Sequence, residues 1–396
     1  MSEQSSYKNL IKLTGAKRLI FFGFLGRAPY SMLQVGMVIF GNFKTDSYAI
    51  GGAMAAGFSI SNALVQPING RLVDKYGQKK IVSILLGMFL ISTTVISLFS
   101  FELDFIYILL AVIIGISVPN IGVYTRRNWK LVAKTDDNQK VQAIESAIDE
   151  LNFLVGPSVF ATISNFINPV LALFVSVVSS TLGTIGVVFI KNLQDRIKFE
   201  TNKFVNNKVW LTKDKILFLV TLILLGACLS SISVYVVAKE DIENLNNLTA
   251  IYYLFNGSTA LITALAYGYM FKNKISLTNY NRTLIFLSIS VFTYFLFNET
   301  NFLYLSAILA GFGIGPIFLL ANSYVSNITE NDVLTEAYSW VGSSVGIGLA
   351  TGSTLFGYLI ENYSLSFAKN LFVIFPLIAI LLTPFNKGWH ELEKKG

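Results

Sequence analysis

Runs of about 20 apolar residues recur along the whole chain, and they leave one solvent for which the fold can be built. A hydrocarbon crossing needs about that length as a helix, because every backbone polar group has to be satisfied within the segment. Twelve such runs are read here, at roughly 19–43, 47–69, 80–101, 104–125, 141–165, 169–190, 214–238, 248–271, 283–298, 301–325, 334–360 and 366–385. With 53% hydrophobic and 13% charged residues, the 396-residue chain is too apolar for a soluble protein of its size. A membrane β-barrel would show short alternating strands, whereas these runs are long and continuous. The expectation is an all-α membrane protein of twelve transmembrane helices. The first run has no small-residue cleavage site and continues into a full span, so no removable signal peptide is read. The single cysteine, Cys228, rules out an internal disulfide, and the lone histidine, His390, lies in a polar tail. No metal site or cofactor is expected.

An even number of spans places both ends on one side of the membrane. Taking that side as cytoplasmic puts 26 of the 30 Lys and Arg on it: four before span one, four after span two, five after span four, seven after span six, three after span eight and three in the tail. Lys44, Lys239 and Lys369 fall outside, and Arg27 lies within span one. This is the positive-inside pattern of a multi-pass protein of the cell membrane with both termini cytoplasmic. The net charge of +7 therefore reports topology and contact with membrane lipids rather than nucleic-acid binding.

The longest hydrophilic stretch, Asn192 to Lys215, divides the spans into two sets of six. The expected organisation is an N-terminal six-helix bundle at 1–191, a cytoplasmic linker at 192–213 and a C-terminal bundle with its tail at 214–396. Weak internal similarity supports the division. GISVPNIG at Gly115–Gly122 and GFGIGPIF at Gly311–Phe318 place a proline alike in spans four and ten, and spans five and eleven each run from a glutamate to a glycine, Glu145 to Gly156 and Glu336 to Gly348. Two such halves are a usual plan of secondary transporters.

Span five carries AIESAIDELNFLVGP, with Glu145, Asp149 and Glu150 ahead of Gly156-Pro157. Glu145, Asp149, Asn152 and Gly156 follow i, i+4, i+7, i+11 and share one helix face, while Glu150 points about 100° away. A charge near mid-bilayer costs roughly 2.5 to 3.5 kcal/mol on insertion scales, so such residues face a bundle interior or a watery cavity and mark a function. Asp149 ranks first, Glu150 second, and Glu145 lies toward the cytoplasmic rim. In span one, Arg27, Ser31 and Gln34 form a matching polar face.

After span two comes GRLVDKYGQKK, Gly70 to Lys80. It resembles the signature loop of the major facilitator superfamily, Gly-x-Leu-Ala-Asp-basic-x-Gly-basic-basic. Gly70, Leu72, Asp74, Lys75, Gly77, Lys79 and Lys80 fit, and Val73 and Gln78 depart. The resemblance implies two six-helix bundles that rock between inward- and outward-open states. It implies that Asp74 meets the amino-terminal end of span eleven as a cytoplasmic gate, and Lys75, Lys79 and Lys80 are read as adding ion pairs to Asp332 and Glu336 there. It also makes spans one and five neighbours, hence a pairing of Arg27 with Asp149 or Glu150. Gly156-Pro157 resembles the core of the span-five antiporter motif of drug–proton exchangers, with Asn152 in place of a glycine and Phe160-Ala161 in place of a glycine pair. The arginine many proton antiporters carry in span four is absent, Ala111 standing there.

Substrate-cavity candidates are Gln34, Asn120, Tyr124, Tyr235, Tyr252, Asn256, Tyr267 and Asn322. None is charged, which suits an amphipathic or aromatic solute held by stacking and neutral hydrogen bonds. GSSVGIGLATGS, Gly342–Ser353, reads as close helix packing; it follows no strand, and no Gly-Lys-Ser/Thr phosphate loop exists to power transport by ATP. The expected function is proton-coupled export of a small organic molecule by a single-chain transporter. Uptake by proton symport is the alternative, and a transport-inactive sensor, which would normally carry an added soluble domain, a remote one. No nucleophile–base constellation suggests an enzyme.

Overall fold

The computed structural model describes residues 7–133, 137–189, 210–245, 248–270, 276–296, 300–367 and 374–385. The described residues are almost all helical. A short α1 (Tyr7–Lys12) precedes α2 (Ala16–Thr45), α3 (Tyr48–Tyr76), α4 (Gln78–Leu98), α5 (Asp104–Ser117), α6 (Ile121–Val132), α7 (Asn138–Phe166) and α8 (Pro169–Val188). Then follow α9 (Lys213–Glu243), α10 (Leu248–Met270), α11 (Leu277–Leu296), α12 (Thr300–Ile328), α13 (Leu334–Asn362) and α14 (Ile374–Leu382). Each of the twelve expected spans falls on one of these helices, span four on two of them and span twelve on α14 in part. Among the described residues, six helices are long and apolar enough to cross a membrane by length and composition alone.

Span four differs from the single helix expected over 104–125. Pro119 cannot donate a backbone hydrogen bond and drives the residue before it out of the helical region. Val118 accordingly takes ψ 122°, and α5 stops at Ser117. Asn120 then caps the restart, its Oδ1 accepting from Val123 N at 3.4 Å, and α6 runs on to Val132. A break at membrane depth leaves carbonyls without helical partners, and an apolar environment would make that costly. Here α3 supplies the donors: Asn62 Nδ2 to Gly115 O at 3.0 Å and Asn69 Nδ2 to Ile116 O at 3.2 Å. The two asparagines are spaced i, i+7 and so lie on one helix face.

The chain forms two compact units. The first comprises Met1–Val141, Leu151–Trp210 and Glu330–Ser339; the second comprises Gln142–Glu150, Leu211–Thr329 and Trp340–Gly396. In the first, α2 lies against α3 and α8, and α5 against α3 and α4. Met32, Phe40, Phe58, Phe89, Tyr107 and Phe160 form its apolar centre. A side chain at Gly36 would strike the Phe160 ring at 2.7 Å, so span five touches span one there. In the second unit, α12 lies against α10 and α11. The glycine run of α13 does what its composition suggested, Gly348 seating against the backbone of α9 at Ile223 and Gly226.

Candidate functional site

The best-defined polar cluster lies where the end of α3 meets the start of α13, both in the first unit. The first-turn N–H groups of a helix have no intrahelical acceptors and carry the positive end of its dipole. Asp74 fills that role for α13 from a different helix: its Oδ2 accepts from Glu336 N at 2.9 Å. Gly70, one turn earlier on α3, permits the approach. A Cβ there would lie 2.5 Å from Ser339 Oγ, 2.8 Å from Thr335 O and 2.9 Å from Glu336 Cα. Gly77 closes α3 and opens α4 with φ +89°, a conformation open to glycine and strained for most other residues.

Two arginines complete the cluster. Arg71 Nη2 donates to Glu336 Oε1 at 2.9 Å, pairing a half-exposed guanidinium with a carboxylate that is 1% exposed. Arg127, on α6, holds Nη1 3.7 Å from Asp74 Oδ1, with both side chains buried. The second Glu336 oxygen, Oε2, accepts from Trp210 N at 3.3 Å. Asp74 lies beyond the apolar part of α3. Burial pushes its carboxyl up to about 6, against the lowering influence of the Arg127 charge and of the hydrogen-bonding groups at Thr335 and Glu336.

The three lysines of the loop go elsewhere. Lys75 and Lys80 place their ammonium groups over the Tyr76 ring at 5.3 and 5.9 Å, and Lys79 lies over Phe189 at 5.1 Å. The cation given to Glu336 is Arg71, which precedes Asp74 by three residues and therefore shares its helix face. Neither Arg71 nor Arg127 was picked out by the loop pattern, the first because it occupies a variable position, the second because it belongs to another helix.

Arg27 is buried, 7% exposed, and its Nη2 donates to Thr125 Oγ1 at 2.5 Å and to Gly122 O at 3.4 Å, tying α2 to α6 within the first unit. Glu145, Asp149 and Glu150 stand on α7 within the stretch Gln142–Glu150 of the second unit. Glu145 is fully buried, as is Asn152 almost completely, while Asp149 and Glu150 are half-buried. The α7 helix runs through Pro157 without ending, and Gly156 packs directly on Ser31.

The cavity candidates divide by what they touch. Asn120 is the cap of α6. Asn256 Nδ2 donates to Ala307 O at 3.2 Å, joining α10 to α12, and Asn322 donates to Phe318 O of its own helix at 2.8 Å. Tyr235 and Tyr252 come together in an apolar cluster with Cys228 and Phe356. Tyr124 is buried, whereas Gln34 and Tyr267 are half-buried.

A helical membrane protein with an aspartate-capped span-eleven helix and a glycine-bracketed loop after span two defines a class of transporter fold. The sequence model of the Major Facilitator Superfamily matches residues 19–298, and the chain belongs to that family of membrane transporters. Solved structures of the same fold include the human organic anion transporter MFSD10 (TETRAN), 14% identical, covering 93% of this chain and 99% of that one with a TM-score of 0.71. A bacterial homologue of the iron transporter ferroportin, in an outward-facing state, is 12% identical and covers 94% of this chain and 98% of that one with a TM-score of 0.73. The comparison with curated proteins finds no match.

Proposed function

We propose that this transporter exports a small amphipathic organic solute in exchange for protons. In this reading Asp149 is the proton-binding carboxylate, Glu150 and Glu145 are secondary groups on the same helix, and Arg27 is the cation that tunes it. The α3–α13 contact is the cytoplasmic gate. The observation that carries the reading is the burial of Arg27 inside an apolar helix, its guanidinium fixed by Thr125 and Gly122. A positive charge held within a span is costly to insert and is characteristically put to work on a proton or ion path. An organic cargo is in keeping with the organic anion named for the human transporter of the same fold. Among the candidate contacts, Gln34, Asn120, Asn256 and Tyr267 are half-buried; Asn120 is taken up as the cap of α6 and Asn256 as a tie between α10 and α12, and Gln34 and Tyr267 are assigned to the solute.

The test uses everted membrane vesicles containing the protein and a panel of amphipathic aromatic dyes. Export predicts that a dye accumulates when the vesicle lumen is acid, and that Asp149→Asn lowers this proton-driven accumulation at least about tenfold. Accumulation driven by an acid exterior would instead point to symport. Flux indifferent to the proton gradient would remove the coupling altogether, and an unchanged pH profile in Arg27→Ala would remove Arg27 from it.

A further inference from the structure

Trp210 precedes α9 and is not itself helical, yet its side chain is 1% exposed. Outside a helix, a buried backbone N–H needs an acceptor from elsewhere in the chain. It finds one 126 positions later, in Glu336 Oε2. The Glu336 carboxylate is thereby shared: one oxygen takes the guanidinium of Arg71, the other the amide of Trp210, while the Glu336 N–H is given to Asp74. Three residues from two separate parts of the chain, Arg71 and Asp74 of α3 and Trp210 ahead of α9, converge on a single residue in the first turn of α13.

We propose that Trp210 is a positioning residue of the gate, latching the start of the stretch that leads into α9 to the first turn of α13. The physical case rests on division of labour at Glu336. Arg71 is half-exposed and so holds only one oxygen of the carboxylate from the solvent side. The Trp210 amide holds the other from the buried side, and the burial of the indole fixes where that amide sits. With the latch engaged, the carboxylate stays oriented and its N–H stays aimed at Asp74. With the latch released, Glu336 can turn toward solvent with Arg71, and α13 loses its hold on α3. Trp210 and the gate then engage and disengage together. This rests on reading the α3–α13 contact as a gate.

The experiment follows alkylation of a Ser339→Cys reporter by a membrane-permeant maleimide in the full chain. Ser339 is 2% exposed and flanks Gly70, and the one native cysteine, Cys228, is buried. Trp210→Ala is expected to raise the alkylation rate about tenfold, and Trp210→Phe to restore it to within about twofold of the parent. In a Glu336→Met background, which keeps the volume and removes both acceptor oxygens, Trp210→Ala is expected to add almost nothing, because the acceptor of the Trp210 amide is already gone. A tryptophan serving only as filler would raise the rate equally in both backgrounds, and that result would overturn the latch. So would an unchanged rate in Trp210→Ala alongside a raised rate in Gly70→Val. If Gly70→Val also leaves the reporter protected, it is the gate reading that fails. Should Trp210→Ala not accumulate in the membrane, Trp210→Leu, which keeps an apolar side chain, carries the same comparison.

Discussion

Gly70→Val is expected to raise the alkylation rate of the Ser339→Cys reporter by about 5- to 100-fold while leaving the amount of inserted protein nearly unchanged. The added Cβ alone would sit 2.8 Å from Thr335 O and 2.9 Å from Glu336 Cα, both backbone atoms that no rotamer change can move. Overpacking of this kind costs about 1–3 kcal/mol. The Glu336 N to Asp74 bond, about 1.5–3 kcal/mol, opposes separation in the parent and the variant alike, so only the strain enters the difference. At about 1.4 kcal/mol per tenfold, that strain shifts the closed-to-open ratio by about 5- to 100-fold. The apolar centre of the first unit, around Met32, Phe58 and Phe160, involves neither Gly70 nor α13, so insertion and folding should survive. A reporter as protected in Gly70→Val as in the parent would show that the close approach is not needed for closure.

Asp74 should make the same contact sensitive to acid. Its carboxyl is at about 6 when buried against α13, above the ordinary 3.8 it recovers once exposed to water. The closed arrangement therefore binds more protons between those values, and closure is favoured as pH falls through 6. The sign is opposite to that of a carboxylate stabilised by an ion pair, because desolvation outweighs the Arg127 charge here. Linkage gives a closed-to-open ratio about tenfold higher at pH 5 than at pH 7.5, with a flat response above about pH 7. Asp74→Asn keeps an acceptor for Glu336 N and cannot titrate, so it should close to a similar extent at every pH. Alkylation of Ser339→Cys by a reagent whose reaction is corrected for thiolate fraction reads both curves.

Much of this was legible in the sequence, and the limits have physical causes. The membrane class and the positions of the helices follow from run length, because a bilayer imposes its thickness on every span. The contact of Asp74 with the amino end of span eleven came from the loop motif and is the geometry observed. The partners of that contact were not readable: Arg71, Arg127 and Trp210 lie 265, 53 and 126 positions from the groups they meet, and no local spacing encodes such distances. The lysines attracted attention because of their charge, yet an ammonium on a flexible stem settles as readily over an aromatic ring. Pro119 was visible as a feature of span four, but its consequence depends on Asn62 and Asn69 of α3, which repair the carbonyls it strands. Two asparagines at i, i+7 in a span without any charge were the available signal. For the cavity candidates, a tyrosine or asparagine in a span reads alike whether it contacts solute or ties helices together, and Asn256 and Tyr252 show the second use.

The central claim is that the α3–α13 contact opens and closes under the control of Asp74. The most direct measurement is the distance between nitroxide labels attached through Tyr76→Cys and Asn331→Cys, two exposed positions on either side of the contact, by pulsed electron–electron resonance. Two distances are expected, the shorter gaining population as the pH is lowered from about 7.5 to 5, with Asp74→Asn abolishing the pH dependence. A single distance unchanged by pH in both proteins would contradict the gate.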